Sequence, residues 1–432
     1  METGEASREG KRARVKRSSE KGEIVFVQLG NELVGIDLAK HCLNNSPPPI
    51  LAVDYRVDHE FPIYTSSFRL DDRVILVGGG FRAESFSGRV YEFIFAAAND
   101  NERGEGEGEV VLPGHLVLRP APSLNRPKPV IAVNLGGTIY VLLYWHGRLP
   151  DYLKDCDSSF ERYDPISNSW ITETSPPRYI ELLKETPHWK SCPVRRHFVK
   201  DDKLFLYCDD NRIYVFSHLS RNWEIITLSP SDQPYLSAYP LMLYSHCPGI
   251  WLSGRSSSEG VSLSIDFPLL DERGPPNRRP RSAVPSASLH KPFATIYSSN
   301  GIPQYYQILD EVFSDMYPPG SMMMTYTCPR LLDLGQVGQG NQTRICAVMT
   351  GDVQSLVTDD FYTGCPYISS KRNGHLFISM FDVEILQLPT EIPRSPDLPP
   401  NSRQLLKVST VKKLVFRLEK PLSFPPFNAF IL

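Results

Sequence analysis

Long apolar runs are missing from this 432-residue chain. No stretch reaches the roughly 20 uninterrupted apolar residues that a membrane-crossing helix needs, so a membrane role is not expected. Residues 1–22 are polar and charged and hold no apolar signal core, which makes nucleus or cytoplasm the expected compartment. There the triplets Asn44-Asn45-Ser46 and Asn341-Gln342-Thr343 have no meaning as glycosylation sites. Cysteine is sparse, with 8 in all and no pair at CxxC spacing. That excludes a dense disulfide framework and leaves buried free thiols as the expectation. A basic excess is also lacking: 46 Lys and Arg face 49 Asp and Glu, for a net charge of −3. Nucleic acid as a partner is therefore not expected. Catalytic signatures are absent as well, since no GxSxG elbow, P-loop, HExxH or GxGxxG occurs. Gly104-Glu105-Gly106-Glu107-Gly108 alternates glycine with acids that would repel a phosphate, and it reads as a solvated loop.

What is abundant points to strands and turns. Aromatic residues make up 11% of the chain, led by 20 Tyr and 21 Phe, and 38 Pro and 28 Gly are spread along it. Such rings suit pleated, half-buried surfaces, and turn residues at short intervals suit an all-β fold. Residues 1–22 have too few apolar groups to join a core and are expected to form a disordered basic tail. Within them Lys11, Arg12, Arg14, Lys16 and Arg17 form a nuclear-localisation candidate, with a solvated tail as the plain alternative. After Glu23, two apolar runs flank Gly30-Asn31 and read as a hairpin.

Three turn-plus-strand units recur: Asp72-Arg73-Val74-Ile75-Leu76-Val77-Gly78-Gly79, Gly137-Thr138-Ile139-Tyr140-Val141-Leu142-Leu143 and Asp202-Lys203-Leu204-Phe205-Leu206-Tyr207. Each is followed by a second strand. Two of those second strands end alike, in Tyr163-Asp164-Pro165-Ile166-Ser167-Asn168-Ser169-Trp170 and Phe216-Ser217-His218-Leu219-Ser220-Arg221-Asn222-Trp223. In both, an aromatic and a Trp seven residues later bracket a tight turn. One small antiparallel sheet cannot bury both of its faces alone. Sheets stacked around an axis bury one another, which is a β-propeller.

The glycine doublet Gly78-Gly79 after an apolar strand and the Tyr163-Asp164-Pro165 to Asn168-Ser169-Trp170 ending resemble the plant-type Kelch-repeat family over residues 65–230. The second and third units carry Leu142-Leu143 and Tyr207-Cys208 where the doublet would stand. With weaker hairpin patterns farther on, the resemblance implies about six or seven four-stranded antiparallel blades over residues 23–432. It also implies a ring closed by the N-terminal hairpin and the C-terminal strands. Family members often pair the propeller with an F-box, and residues 1–22 do not hold such a helical module. Some Kelch-like propellers are copper oxidases, and here the match is limited to Cys208 following Tyr207. Adjacent strand residues point to opposite faces, so no metal or cofactor is expected. The segment 188–197, with His188, Cys192 and His197, reads as a loop entering a blade rather than as a zinc site.

The expected function is a non-catalytic scaffold, a monomer that presents propeller loops to a protein partner. Trp145, His146, Arg148 and Tyr152 lie on a long connection between two strands of one blade. Phe81 and Arg82 take the equivalent place in the preceding unit. Trp, Tyr and Arg are enriched at binding hot spots, which makes these six residues the partner-binding candidates. The alternative is an enzyme or small-ligand binder that uses the central channel.

Overall fold

The structure, a computed structural model, describes residues 24–29, 32–38, 66–70, 73–77, 80–82, 85–86, 90–95, 114–118, 130–143, 160–164, 166–185, 194–208, 210, 212–228, 247–253, 260–266, 293–297, 303–309, 312, 321–326, 330–338, 342–357, 367–368, 373–386, 406–417 and 427–431. The runs flanking Gly30-Asn31 pair as an antiparallel hairpin of β1 (Ile24–Leu29) and β2 (Glu32–Asp37). Next come β3 (Ser66–Leu70), β4 (Arg73–Val77), a small hairpin of β5 (Gly80–Arg82) and β6 (Ser85–Phe86), then β7 (Val90–Phe95) and β8 (Gly114–Leu118). Strands β3, β4, β7 and β8 form a four-stranded antiparallel sheet in that order.

The second sheet runs β9 (Val130–Leu135), β10 (Thr138–Leu143), β11 (Phe160–Asp164) and β12 (Ser169–Thr172). Helix α1 (Tyr179–Glu185) follows it. The third sheet holds β13 (Val194–Lys200), β14 (Lys203–Cys208), β15 (Arg212–Ser217) and β16 (Asn222–Thr227), with β17 (Cys247–Pro248) added in parallel beside β13. The fourth holds β18 (Ile250–Ser253), β19 (Gly260–Asp266), β20 (Phe293–Tyr297) and β21 (Pro303–Ile308). These four sheets are the blades of an all-β propeller.

Two further sheets depart from the four-stranded pattern. β22 (Ser321–Tyr326), β23 (Arg330–Val337), β24 (Gln342–Val357), β25 (Tyr367–Ile368), β26 (Asn373–Ile385) and β27 (Leu406–Arg417) form one sheet of six. β28 (Phe427–Ile431) pairs with β1, so β2, β1 and β28 form a sheet of three. The expectation of six or seven four-stranded blades is therefore met by four among the described residues. The run 345–349 lies inside a 16-residue strand without proline. That length lets β24 pair β23 along one half of an edge and β22 along the other.

Side-chain alternation explains how the blades stack. Along β10, Ile139 and Val141 enter a cluster with Ile75, Val77 and Val90 of the first blade. Tyr140 and Leu142 point the other way, into a cluster with Leu204, Leu206, Tyr214 and Phe216 of the third. Both faces are buried, so the strand reads as one continuous apolar run. Each large side chain hidden this way contributes about 1.5–3 kcal/mol. The fourth blade packs on the six-stranded sheet through Leu263, Ile265, Ile345 and Phe377. That sheet packs on the three-stranded one through Val25, Val27, Val348 and Ile378.

Strands from the four blades and from the two further sheets take part in a closed circuit of neighbours. β28 lies against β3, β3 against β9, β9 against the β14 side of the third blade, β13 against β18, β18 against β23, and β23 against β28. The segment read as a loop at 188–197 is strand from Val194 onward. Its consecutive arginines, Arg195 and Arg196, separate Val194 from Phe198 and Val199, so the sequence shows no apolar alternation there.

Candidate functional site

The connection bearing Trp145, His146, Arg148 and Tyr152 lies outside the described residues, as do Lys11, Arg12, Arg14, Lys16 and Arg17. It leaves β10 at Leu143 and returns at Phe160. The root at Leu143 is well defined: the buried Tyr179 of α1 donates its hydroxyl hydrogen to the Leu143 carbonyl at 2.7 Å. Phe81 and Arg82 lie in β5, between β4 and β7, where Arg82 faces Ser85 across the short hairpin. The structure thus places them in the link equivalent to that between β10 and β11. His197, considered above as a zinc ligand, lies on β13, and no group of three metal-ligating side chains occurs among the described residues. Tyr207 packs with Phe198 and Phe205, whereas Cys208 packs with Leu143 and Leu206. Consecutive positions on β14 send them to opposite faces.

The opposite ends of these strands carry a set of interlocking turns that sequence reasoning did not single out. The link between β9 and β10 is Gly136-Gly137, at φ of +57° and +81°. The link between β13 and β14 is Asp201-Asp202, at +48° and +56°. Two-residue turns with both φ values positive match the twist of the strands they join, and Gly and Asp tolerate that region best. The two turns are tied across the seam: the Gly136 N–H donates to Asp202 Oδ1 at 2.8 Å. The His218 N–H donates to the Asp202 carbonyl at 3.1 Å. The Tyr140 hydroxyl and His218 Nδ1 share a hydrogen bond of 2.9 Å. Burial and the nearby Glu173 carboxylate raise the Tyr140 hydroxyl above its ordinary titration range. Tyr140, Phe160, Phe216 and Trp223 form one aromatic cluster with ring centroids 4.8–5.4 Å apart. Trp223 Nε1–H donates to the Thr174 carbonyl of the neighbouring blade at 2.8 Å.

At the same rim lie the turns between β11 and β12 and between β15 and β16. They are the conserved-length endings of the sequence repeat, and their backbones agree: Asn168 has φ +48° and Arg221 +53°. Asp164 fixes the first turn by accepting from the Ser167 hydroxyl at 2.6 Å and from the Ile166 N–H at 3.3 Å. The Ser167 hydrogen bond, with the two backbone N–H groups, holds the Asp164 carboxyl below its ordinary range. Tyr163 donates to Asn168 Oδ1 at 2.6 Å. These braces hold an apolar side chain out in solvent. Ile166 is 96% exposed, and Leu219, its counterpart in the next blade, is 87% exposed. The only sequence signal for the pair was an aliphatic residue in the middle of an otherwise polar turn, at the same offset in both repeats.

No protein-family model and no curated protein matches the chain. Among solved structures, one of YjhT is similar at a TM-score of 0.40 and 10% identity, covering 90% of this chain and 95% of that one. The N-terminal domain of Nup159 is similar at a TM-score of 0.35 and 11% identity, covering 83% of each chain. The basis for the fold remains the four-stranded meanders of this chain itself.

Proposed function

We propose that this chain is a non-catalytic scaffold whose rim turns hold a partner protein. The observation that carries this reading is the pair Ile166 and Leu219. Single exposed aliphatics are common and need no explanation. Here two adjacent blades present one each, from turns of matching backbone, the first braced by the Tyr163–Asn168 and Ser167–Asp164 hydrogen bonds and the second by the bonds of His218 to Asp202 and Tyr140. Rigid presentation lowers the entropy cost of association. The reading includes a Kelch-like ring of six sheets, in which the three-stranded and six-stranded sheets complete the circuit begun by the four blades. It also includes a monomer, without cofactor, in nucleus or cytoplasm, with Lys11, Arg12, Arg14, Lys16 and Arg17 directing nuclear import. The loops bearing Trp145 and Phe81 are attached at the opposite rim and offer a second contact face.

The test compares affinity purification from cells of the wild type, the double variant Ile166→Asp plus Leu219→Asp, and the double variant Trp145→Ala plus Arg148→Ala. Loss of the same partner in the first variant, with thermal unfolding unchanged, supports contact at the braced turns. Loss in the second alone moves the contact to the other rim. An unchanged partner set in both ends the proposal.

A further inference from the structure

We propose that the outer edge of the third blade, strand β16, takes an extended, basic segment of a partner protein as an added strand. β16 is the last strand of its sheet, and its ladder to β15 runs through six residue pairs without a bulge. On an edge strand the N–H and C=O groups that face away from the sheet are a template for a further strand. Asn222, Glu224, Ile225 and Thr227 are all exposed, Ile225 at 44%. The edge is therefore open over most of its length, about 20 Å.

Natural sheets shield such edges by brevity, proline, lysine or a bulge. Other outer strands of this chain follow that rule. β12 has four residues, and β21 begins with Pro303. β27 carries Lys407, Lys412 and Lys413 and a bulge. The Gln307 side chain also covers its first residue, donating to the Leu406 carbonyl at 2.7 Å and accepting from the Leu406 N–H at 2.9 Å. β16, Asn-Trp-Glu-Ile-Ile-Thr, has none of these devices and ends in three β-branched residues. It is also held from both faces. Trp223 packs on Phe160 and Phe216 and donates to the Thr174 carbonyl, while Ile226 packs against the cluster of Phe198, Phe205 and Val215. The strand is thus formed and fixed before a partner arrives, which lowers the entropy cost of pairing.

The occupant follows from the charge and side chains along the edge. Glu224 is the only charged residue of β16, and it is exposed. A Lys or Arg directly opposite it in an added strand makes a favourable cross-strand pair, whereas an acid there is destabilising. Ile225 points to the other face and offers an apolar neighbour to a β-branched residue. A segment that alternates basic and β-branched residues meets both. A second copy of this chain paired about Glu224 would instead set two carboxylates opposite each other. In this mode main-chain hydrogen bonds supply affinity and alternate side chains supply specificity. The contact is separate from that of Ile166 and Leu219 and does not depend on it.

The test is fluorescence anisotropy of the full chain with a labelled peptide of about eight residues alternating lysine and valine. One control is the same peptide with every second amide N-methylated, which keeps the charge and removes the donors of one edge. The other alternates glutamate and valine. The expected result is saturable binding of the lysine peptide, weakened at least about 10-fold by N-methylation. Glu224→Lys and Ile225→Lys should each weaken it about 3- to 10-fold, and amides of β16 should gain protection from hydrogen exchange when it binds. No binding at about 1 mM peptide, equal binding of the N-methylated peptide, tighter binding of the glutamate peptide or unchanged binding in Glu224→Lys overturns the proposal. A dimer of the chain alone that Ile225→Lys dissolves would assign the edge to a second copy and overturn it as well.

Discussion

Gly136→Ala is the sharpest perturbation of the seam between the second and third blades. Gly136 has φ +57°, and a Cβ built there would stand 2.8 Å from His218 Cδ2. Two costs follow. An L-residue in the left-handed region costs roughly 1–2 kcal/mol. The imidazole must also move, which disturbs the 2.9 Å bond to Tyr140, worth about 1 kcal/mol. The sum is about 2–3 kcal/mol. Gly137→Ala is the built-in control: φ is +81°, but the added Cβ meets nothing within 4 Å. It should cost only the backbone component, about 1–2 kcal/mol. Urea unfolding of both variants, read by tryptophan fluorescence, gives the difference directly. That difference should be about 1 kcal/mol, and it should vanish when both substitutions are made in a His218→Ala background. Equal destabilisation by the two alanines in the wild-type background would refute the packing of His218 over Gly136.

Stability should also fall in mild acid because of His197. Its folded-state value is depressed to about 3 from an ordinary value near 6.5, so the unfolded chain takes up a proton that the folded chain refuses. The loss begins below about pH 6.5 and deepens toward pH 3, amounting to about 2 kcal/mol between pH 7 and pH 5. His197→Gln should remove that component of the slope in urea titrations at the two pH values, and an unaltered slope would contradict the assignment. Tyr179→Phe deletes the hydroxyl that serves the Leu143 carbonyl and should cost about 1–2 kcal/mol in the same assay. Faster exchange of the β10 C-terminal amides should accompany it, and unchanged exchange there would show that α1 does not brace the root of the loop.

The strands with both faces buried were the legible part of the sequence. β4, β10, β14 and β15 are unbroken apolar runs next to turn residues, and their pairing follows the repeat units. Gly30-Asn31 announced the β1–β2 hairpin in the same way. Two strands of the circuit, β13 and β23, were harder to see. β13 reads Val-Arg-Arg-His-Phe-Val-Lys and β23 Arg-Leu-Leu-Asp-Leu-Gly-Gln-Val, so charge interrupts the pattern that burial would otherwise write. The length of β24 was invisible because a strand's end is set by where its partners stop, and it has two in succession. The seam turns escaped notice for a different reason. Gly136-Gly137 and Asp201-Asp202 are plain turn signals singly, and only tertiary packing sets Asp202 beside the Gly136 N–H. Ile166 and Leu219 stand at equal offsets in the repeat, but the exposure of Ile166 depends on how Asp164 and Tyr163 brace its turn.

The central claim is that the sheets form a ring joined where the chain's last strand meets its first. Hydrogen exchange by mass spectrometry on Ala429→Pro tests it most directly. Ala429 lies opposite Val27 in the β1–β28 ladder, and proline there removes a donor and breaks the pairing. The expected result is loss of protection in β1, β2 and β3, with β14 and β15 still protected. Undiminished protection of Ile24–Leu29 in that variant would contradict the closure and the ring with it.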